Sequence, residues 1–118
     1  MSSLRYDKEH TWVRIEGLIA TLGIVKRVGA QTGEFVYADI VARGTKIEKG
    51  DRYVTLEAVK WSGDITSPLS GEIIETNEHL MNTPKLLNDQ PYDAWIVKIR
   101  MSRSEETEKL VELTEGSL

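Results

Sequence analysis

Leu56-Glu57-Ala58-Val59-Lys60-Trp61-Ser62-Gly63-Asp64-Ile65-Thr66-Ser67-Pro68-Leu69-Ser70-Gly71-Glu72 is the stretch that decides the fold. An extended apolar run climbs to one lysine, turns, and descends into a second run closed by Pro-x-x-Gly. Read as a β-hairpin over residues 53–73, it sets Lys60 at the tip, away from any core. Small and β-branched residues before the lysine keep the backbone extended. Ser62-Gly63 after it are read as permitting the tight turn. A lysine held there is either an ordinary solvated charge, which most hairpin lysines are, or a handle for a covalent group.

The flanking chain carries the same short-strand grammar. Thr11 to Glu16 alternates apolar and polar residues and is rich in β-branched and aromatic side chains, which predicts a strand. Gly17 permits a turn and Leu18 to Ile24 returns. Val25 to Gln31 is read as a short helix, although Gly29 costs about 1 kcal/mol there relative to alanine and no capping side chain precedes it. Gly33 ends it. Strands follow over Glu34–Val41, Thr45–Ile47, Gly71–Asn77 and Ala94–Arg100, with one or two helical turns between Glu78 and Asp89. Residues 4–10 are read as polar and irregular. Ser102-Arg103-Ser104-Glu105 fits a Ser-x-x-Glu capping box, predicting a terminal helix over about 102–115. Seven or eight short strands divided by turns indicate a mainly β sandwich or barrel, not a parallel α/β sheet. A faint echo between Gly17–Thr21 and Gly71–Thr76 would suit two half-barrels.

Bulk properties narrow the function. A chain of 118 residues is about one domain, taken here as 1–118. The net charge of −4, with no basic run, argues against nucleic acid. The absence of cysteine excludes disulfides and thiolate chemistry by the protein itself. No apolar run approaches a membrane span, and no apolar leader follows Met1, so a cytoplasmic protein without membrane insertion is expected. His10 and His79 stand in polar settings and read as exposed histidines, not a metal pair. No Gly-rich phosphate loop follows a strand. A non-catalytic protein is expected, with no catalytic or metal-ligating residue.

The hairpin closely resembles the lipoylation segment of the glycine cleavage system H protein family, whose pattern there is roughly E-S-V-K-A-x-S-D-I-x-A-P-V-S-G-E-V. The resemblance extends to His10-x-Trp12-Val13, Gly23-Ile24, Gly33-Glu34-Phe35-Val36-Tyr37-Ala38-Asp39-Ile40, and Asn88-x-x-Pro91-Tyr92 before Trp95-Ile96-Val97-Lys98-Ile99. It covers nearly the whole chain in order. It implies a flattened lipoyl/biotinyl-type β-barrel (barrel-sandwich hybrid) with lipoate in amide linkage to Lys60. It also implies a carrier that leaves catalysis to partners, with a lipoate ligase or lipoyl synthase system to attach the group. The residues expected around the cofactor are Glu57, Val59, Trp61, Asp64 and Thr11.

Two departures bear on the cargo. The family usually has Glu where this chain has Thr11, and a hydroxyl cannot make the same charge-assisted bond to an amine cargo. It usually has Ala where this chain has Trp61, and an exposed tryptophan beside the tip would change what docks. By resemblance, the loaded arm would lie in a groove near Thr11, Val25–Thr32 and Asp64, with Lys26 and Arg27 favouring an anionic cargo. These departures favour H-like carriers that serve a heterodisulfide-reductase-like complex in sulfur oxidation. The alternative is an aminomethyl carrier working with the glycine cleavage enzymes. A binding module that lost the cofactor, with Trp61 as a docking knob, is a third reading. A biotin carrier fits less well, because those hairpins commonly carry Met on both sides of the lysine.

Overall fold

The computed structural model describes residues 4–113. Ten strands form two antiparallel sheets. The larger sheet has seven strands in the order β10-β1-β2-β3-β9-β8-β5. In chain order these are β1 Leu4–Tyr6, β2 Thr11–Glu16, β3 Ile19–Ile24, β5 Lys46–Ile47, β8 Gly71–Thr76, β9 Val97–Met101 and β10 Val111–Glu112. The smaller sheet has the order β4-β6-β7, from β4 Phe35–Ile40, β6 Arg52–Ala58 and β7 Trp61–Thr66. The expected flattened barrel is therefore an open, sandwich-like pair of sheets. The change of sheet after β7 occurs at buried Ser67-Pro68-Leu69-Ser70. Pro68 cannot donate to a ladder, which ends β7 before β8 begins. Gly50 N–H donates to Ser67 O (2.8 Å) and Ser67 N–H to Asp51 O (2.8 Å), which ties this crossing to the one before β6.

Inward residues of both sheets make one core, including Leu22, Ile24, Phe35, Leu56, Ile65, Ile73 and Ile99, and Trp12 is buried on the other face of the large sheet. Trp12 lies across from Gly23 in the β2–β3 register, and a side chain at 23 would occupy the space of its indole ring. Its indole N–H donates to Pro91 O (2.8 Å). The two Gly-led strands of the internal echo, β3 and β8, flank β9 in the same sheet.

Three α-helices complete the fold among the described residues: α1 Lys26–Thr32, α2 His79–Asn82 and α3 Leu86–Asp89. Gly29 in α1 has a packing reason that the sequence does not display. A Cβ there would stand 3.0 Å from Asn88 Nδ2 and 3.5 Å from the Phe35 ring.

Two expectations fail at the ends of the chain. Residues 4–6 form strand β1, paired with β2 and β10, instead of irregular polar chain. The C-terminal helix over about 102–115 is replaced by a 3₁₀ helix, Ser104–Lys109, followed by β10; residues 114 and 115 lie outside the described part. The Ser102–Glu105 capping box does not form: the N-cap position is Arg103 and no side chain caps it. Glu106 instead reaches Ser70, accepting from its N–H at 2.6 Å and bonding its hydroxyl at 2.8 Å. Leu110 N–H bonds Thr107 O and Leu113 N–H bonds Leu4 O, so the segment ends as sheet edge.

Candidate functional site

Lys60 stands at the tip of the β6–β7 hairpin. The register pairs Ala58 with Trp61, so the loop is only Val59-Lys60. Trp61, Ser62 and Gly63 belong to β7, so Ser62-Gly63 is not the turn that the sequence suggests. Both loop residues are exposed, Val59 at 68%. Neither has a positive φ, which the favoured two-residue hairpin turns require at one or both positions. The loop is held from outside instead. Val59 N–H donates to Glu34 O (3.1 Å) and Lys60 N–H to Thr32 O (2.9 Å). Gly33, between these two acceptors, has φ 86°, and a Cβ there would stand 3.3 Å from Val59 Cβ. Among the described residues no carboxylate lies within salt-bridge distance of the lysine ammonium. The backbone at Lys60 is thus tied down while its side chain is exposed to solvent.

The face of each neighbour follows from the pairing. Val54, Leu56 and Ala58 lie opposite Ile65, Gly63 and Trp61 on the core side. Trp61 is half-buried and packs against the core, folded back over Gly63, where a Cβ would stand 2.7 Å from its ring. The expectation of an exposed docking aromatic at 61 is corrected: the indole caps the end of the core beneath the lysine. Glu57 is exposed on the outer face, paired with Tyr37 and Ser62. Asp64 is on that face too, in a row with Thr55 and Asp39. The Thr55 hydroxyl donates to Asp64 Oδ1 (2.7 Å) and accepts from Arg52 Nη1 (2.9 Å), and Arg52 stands 3.7 Å from the Asp39 carboxylate.

Thr11 does not line a groove. It is 0% exposed, and its Oγ1 lies 2.8 Å from the hydroxyl of buried Tyr53. This contact bolts β2 of one sheet to β6 of the other. Burial pushes the Tyr53 phenol well above its ordinary range, the Thr11 hydrogen bond opposes that shift, and nearby Asp7 adds to it. Thr11 inside the sandwich and Asp64 outside it therefore do not form walls of one cleft. Of the basic pair on α1, Arg27 is engaged with Glu9 O (2.7 Å), and the backbone N–H of Lys26 donates to the Tyr92 hydroxyl (3.1 Å). The structure brings Lys60, Val59, Trp61 and Glu57 together at one end of the small sheet, with Asp64 further along β7.

Sequence reasoning missed the residues that hold the tip. Thr32 and Glu34 contribute backbone carbonyls, to which their side-chain identity gives no clue. Asn88 bonds Phe35 N–H and Gly33 O from 53 and 55 residues away. It stands in the Asn-x-x-Pro-Tyr string, but its reach is a tertiary fact.

No group of three His, Asp or Glu side chains suited to a metal occurs among the described residues. No helix among them is long and apolar enough to cross a membrane.

Comparison with known proteins agrees with this geometry. Residues 4–117 match the family model for the glycine cleavage H-protein. A mitochondrial glycine cleavage system H protein from Oryza sativa subsp. indica is 36% identical over 113 residues, covering 95% of this chain and 69% of the rice protein. The crystal structure of a glycine cleavage system H protein from Mycobacterium marinum shares the fold, with a TM-score of 0.78 and 22% identity over 92% of this chain and 97% of that one.

Proposed function

The chain belongs to the glycine cleavage H-protein family, whose members carry a covalently attached lipoate, and from that premise we propose that it is the aminomethyl carrier of a glycine cleavage system, with Lys60 as the attachment point. The observation that carries this reading is the presentation of Lys60: an exposed ammonium without an ion-pair partner, on a backbone fixed by two hydrogen bonds. A lipoyl group supplies a disulfide that can be reduced and a sulfur that can hold cargo.

This chain's residues do the presenting. The Val59-Lys60 loop exposes the lysine to a lipoate ligase or lipoyl synthase system. Glu57 and Asp64 give the outer face of the small sheet a negative character. Trp61 keeps the inner side of the tip dry by covering Gly63. The whole chain, 1–118, serves as one carrier domain, and partner enzymes supply the catalysis.

The case for a sulfur-oxidation cargo rested on Thr11 and Trp61. Thr11 is buried against Tyr53 and Trp61 is turned to the core side, so neither departure tells against an amine cargo. The names of the relatives also favour glycine cleavage over a heterodisulfide-reductase-like partner.

Coexpression with a lipoate ligase should add one lipoyl amide by intact mass, and none to Lys60→Ala. Modification of the Ala variant would refute the site. The lipoylated protein should then accept the aminomethyl group from glycine in the presence of the glycine decarboxylase. No loading would reject the glycine cleavage assignment and return the sulfur reading.

A further inference from the structure

We propose that Asn88 is the positioning residue of the lysine hairpin, acting through the segment Thr32–Phe35. In this fold the Val59-Lys60 loop lacks the left-handed residues that match a two-residue turn to the twist of its strands, so its own geometry favours the pairing less than contacts from outside do. Among the described residues its two amides are satisfied by Glu34 O and Thr32 O. The position of the lysine is therefore set by whatever fixes residues 32–35.

Asn88 fixes them. Its Oδ1 accepts from Phe35 N–H at 2.8 Å and its Nδ2 donates to Gly33 O at 3.1 Å, bracketing Glu34 from both sides. Only this orientation of the amide satisfies both partners, because one backbone group is a donor and the other an acceptor. The side chain stands in for a neighbouring strand along a short stretch of chain. α3 carries it, held to the core by buried Leu87. Gly29 leaves the space it needs, since a Cβ there would press on Nδ2 at 3.0 Å. Gly33 leaves the space on the other side, against Val59. Two glycines and one asparagine thus form a relay from α3 to the lysine.

Without the bracket, the loop would sample conformations that a modifying enzyme does not bind. An enzyme that binds only the ordered tip would then show a raised apparent KM for this protein, with kcat nearly unchanged. A general loss of stability would raise the apparent KM in the same way, because the protein is the substrate of that enzyme, so the pattern of amide exchange separates the two. This functional readout rests on Lys60 being the attachment point; the structural readout does not.

The test uses the full chain with Asn88→Ala and Asn88→Asp. Asp keeps an acceptor for Phe35 N–H but sets an oxygen against Gly33 O. Amide exchange followed by NMR should be about tenfold faster at Val59 and Lys60 in both variants, with the β2–β3–β9 amides unchanged. The KM of a lipoate ligase should rise several-fold with kcat within about twofold. Unchanged exchange at Val59 and Lys60 overturns the proposal, as does uniform loss of protection in both sheets in both variants. Faster exchange with an unaltered KM also overturns it, since the bracket would then position nothing that the enzyme reads. If the wild-type chain is never modified at Lys60, the carrier reading fails while the exchange data still decide the role of Asn88.

Discussion

Thr11 and Tyr53 show why the chemical type of a residue is a poor guide to its task until its burial is known. A threonine in place of the family's usual glutamate looks like a change of ligand. In the folded chain it is half of a buried hydroxyl pair. Tyr53→Phe would leave the Thr11 hydroxyl unsatisfied and should cost about 1–3 kcal/mol in chemical denaturation. Thr11→Val with Tyr53→Phe should cost less than the sum of the two single changes, and strict additivity would mean that the bond contributes nothing. A second residue-scale consequence lies at Gly63. Gly63→Ala would force the Trp61 ring out of its seat, because the new methyl would stand 2.7 Å from it. Indole emission should shift to the red and become easier to quench with acrylamide; unaltered quenching would show that the ring is not seated there.

At the scale of elements, the segment from Ser104 to Leu113 is held by one side chain more than by its own propensity. Glu106 meets both the N–H and the hydroxyl of Ser70, at the point where the chain has just crossed between sheets. Charge-assisted bonds of this kind are stronger than neutral ones. Glu106→Ala should lower stability by about 1–3 kcal/mol, with the earliest loss of amide protection in β10 and at Ser70, whereas Glu105→Ala should be nearly silent. Most elements could be read from the chain because period-two alternation is strong wherever one face of a strand is buried, as in Val97–Met101. The misses share a cause. β1 and β10 are short strands paired with each other at the margin of the large sheet, and their pairing depends on partners more than 100 residues apart. Local pattern carries no such information. Ser102–Glu105 failed as a capping box because the chain there is committed to Ser70 and Leu4. Ser62-Gly63 failed as a turn because Gly63 is needed beneath an indole, not at a reversal of direction. The place of Lys60 at the hairpin tip was legible in the sequence, whereas the clamp that holds it was not, because carbonyl oxygens leave no trace in a sequence.

For the whole molecule, the inter-sheet contact ties stability to alkaline pH. The folded pKa of Tyr53 lies above its ordinary value of 10.0 because burial disfavours the phenolate. The stability it contributes is fully present below about pH 10. Above that, the unfolded chain loses the proton while the folded chain keeps it, so the contribution falls by about 1.4 kcal/mol per pH unit until the folded pKa is reached. Denaturation midpoints between pH 8 and 11 should show this decline in the wild-type protein and a shallower one in Tyr53→Phe. Parallel curves would mean that the phenol does not couple the sheets to pH.

The anchoring of the hairpin by Thr32 and Glu34 has a further meaning for traffic. A lysine whose backbone amide is hydrogen-bonded to another part of the fold is a fixed pivot. Anything joined to it explores a volume set by rotation about side-chain bonds, centred on a point that does not wander. With the proposed attachment at Lys60, every client would have to bring its active site within the same radius of the same point, and none could do so while another occupied that space. The chain would then act as a turnstile, admitting its partners one at a time by geometry alone.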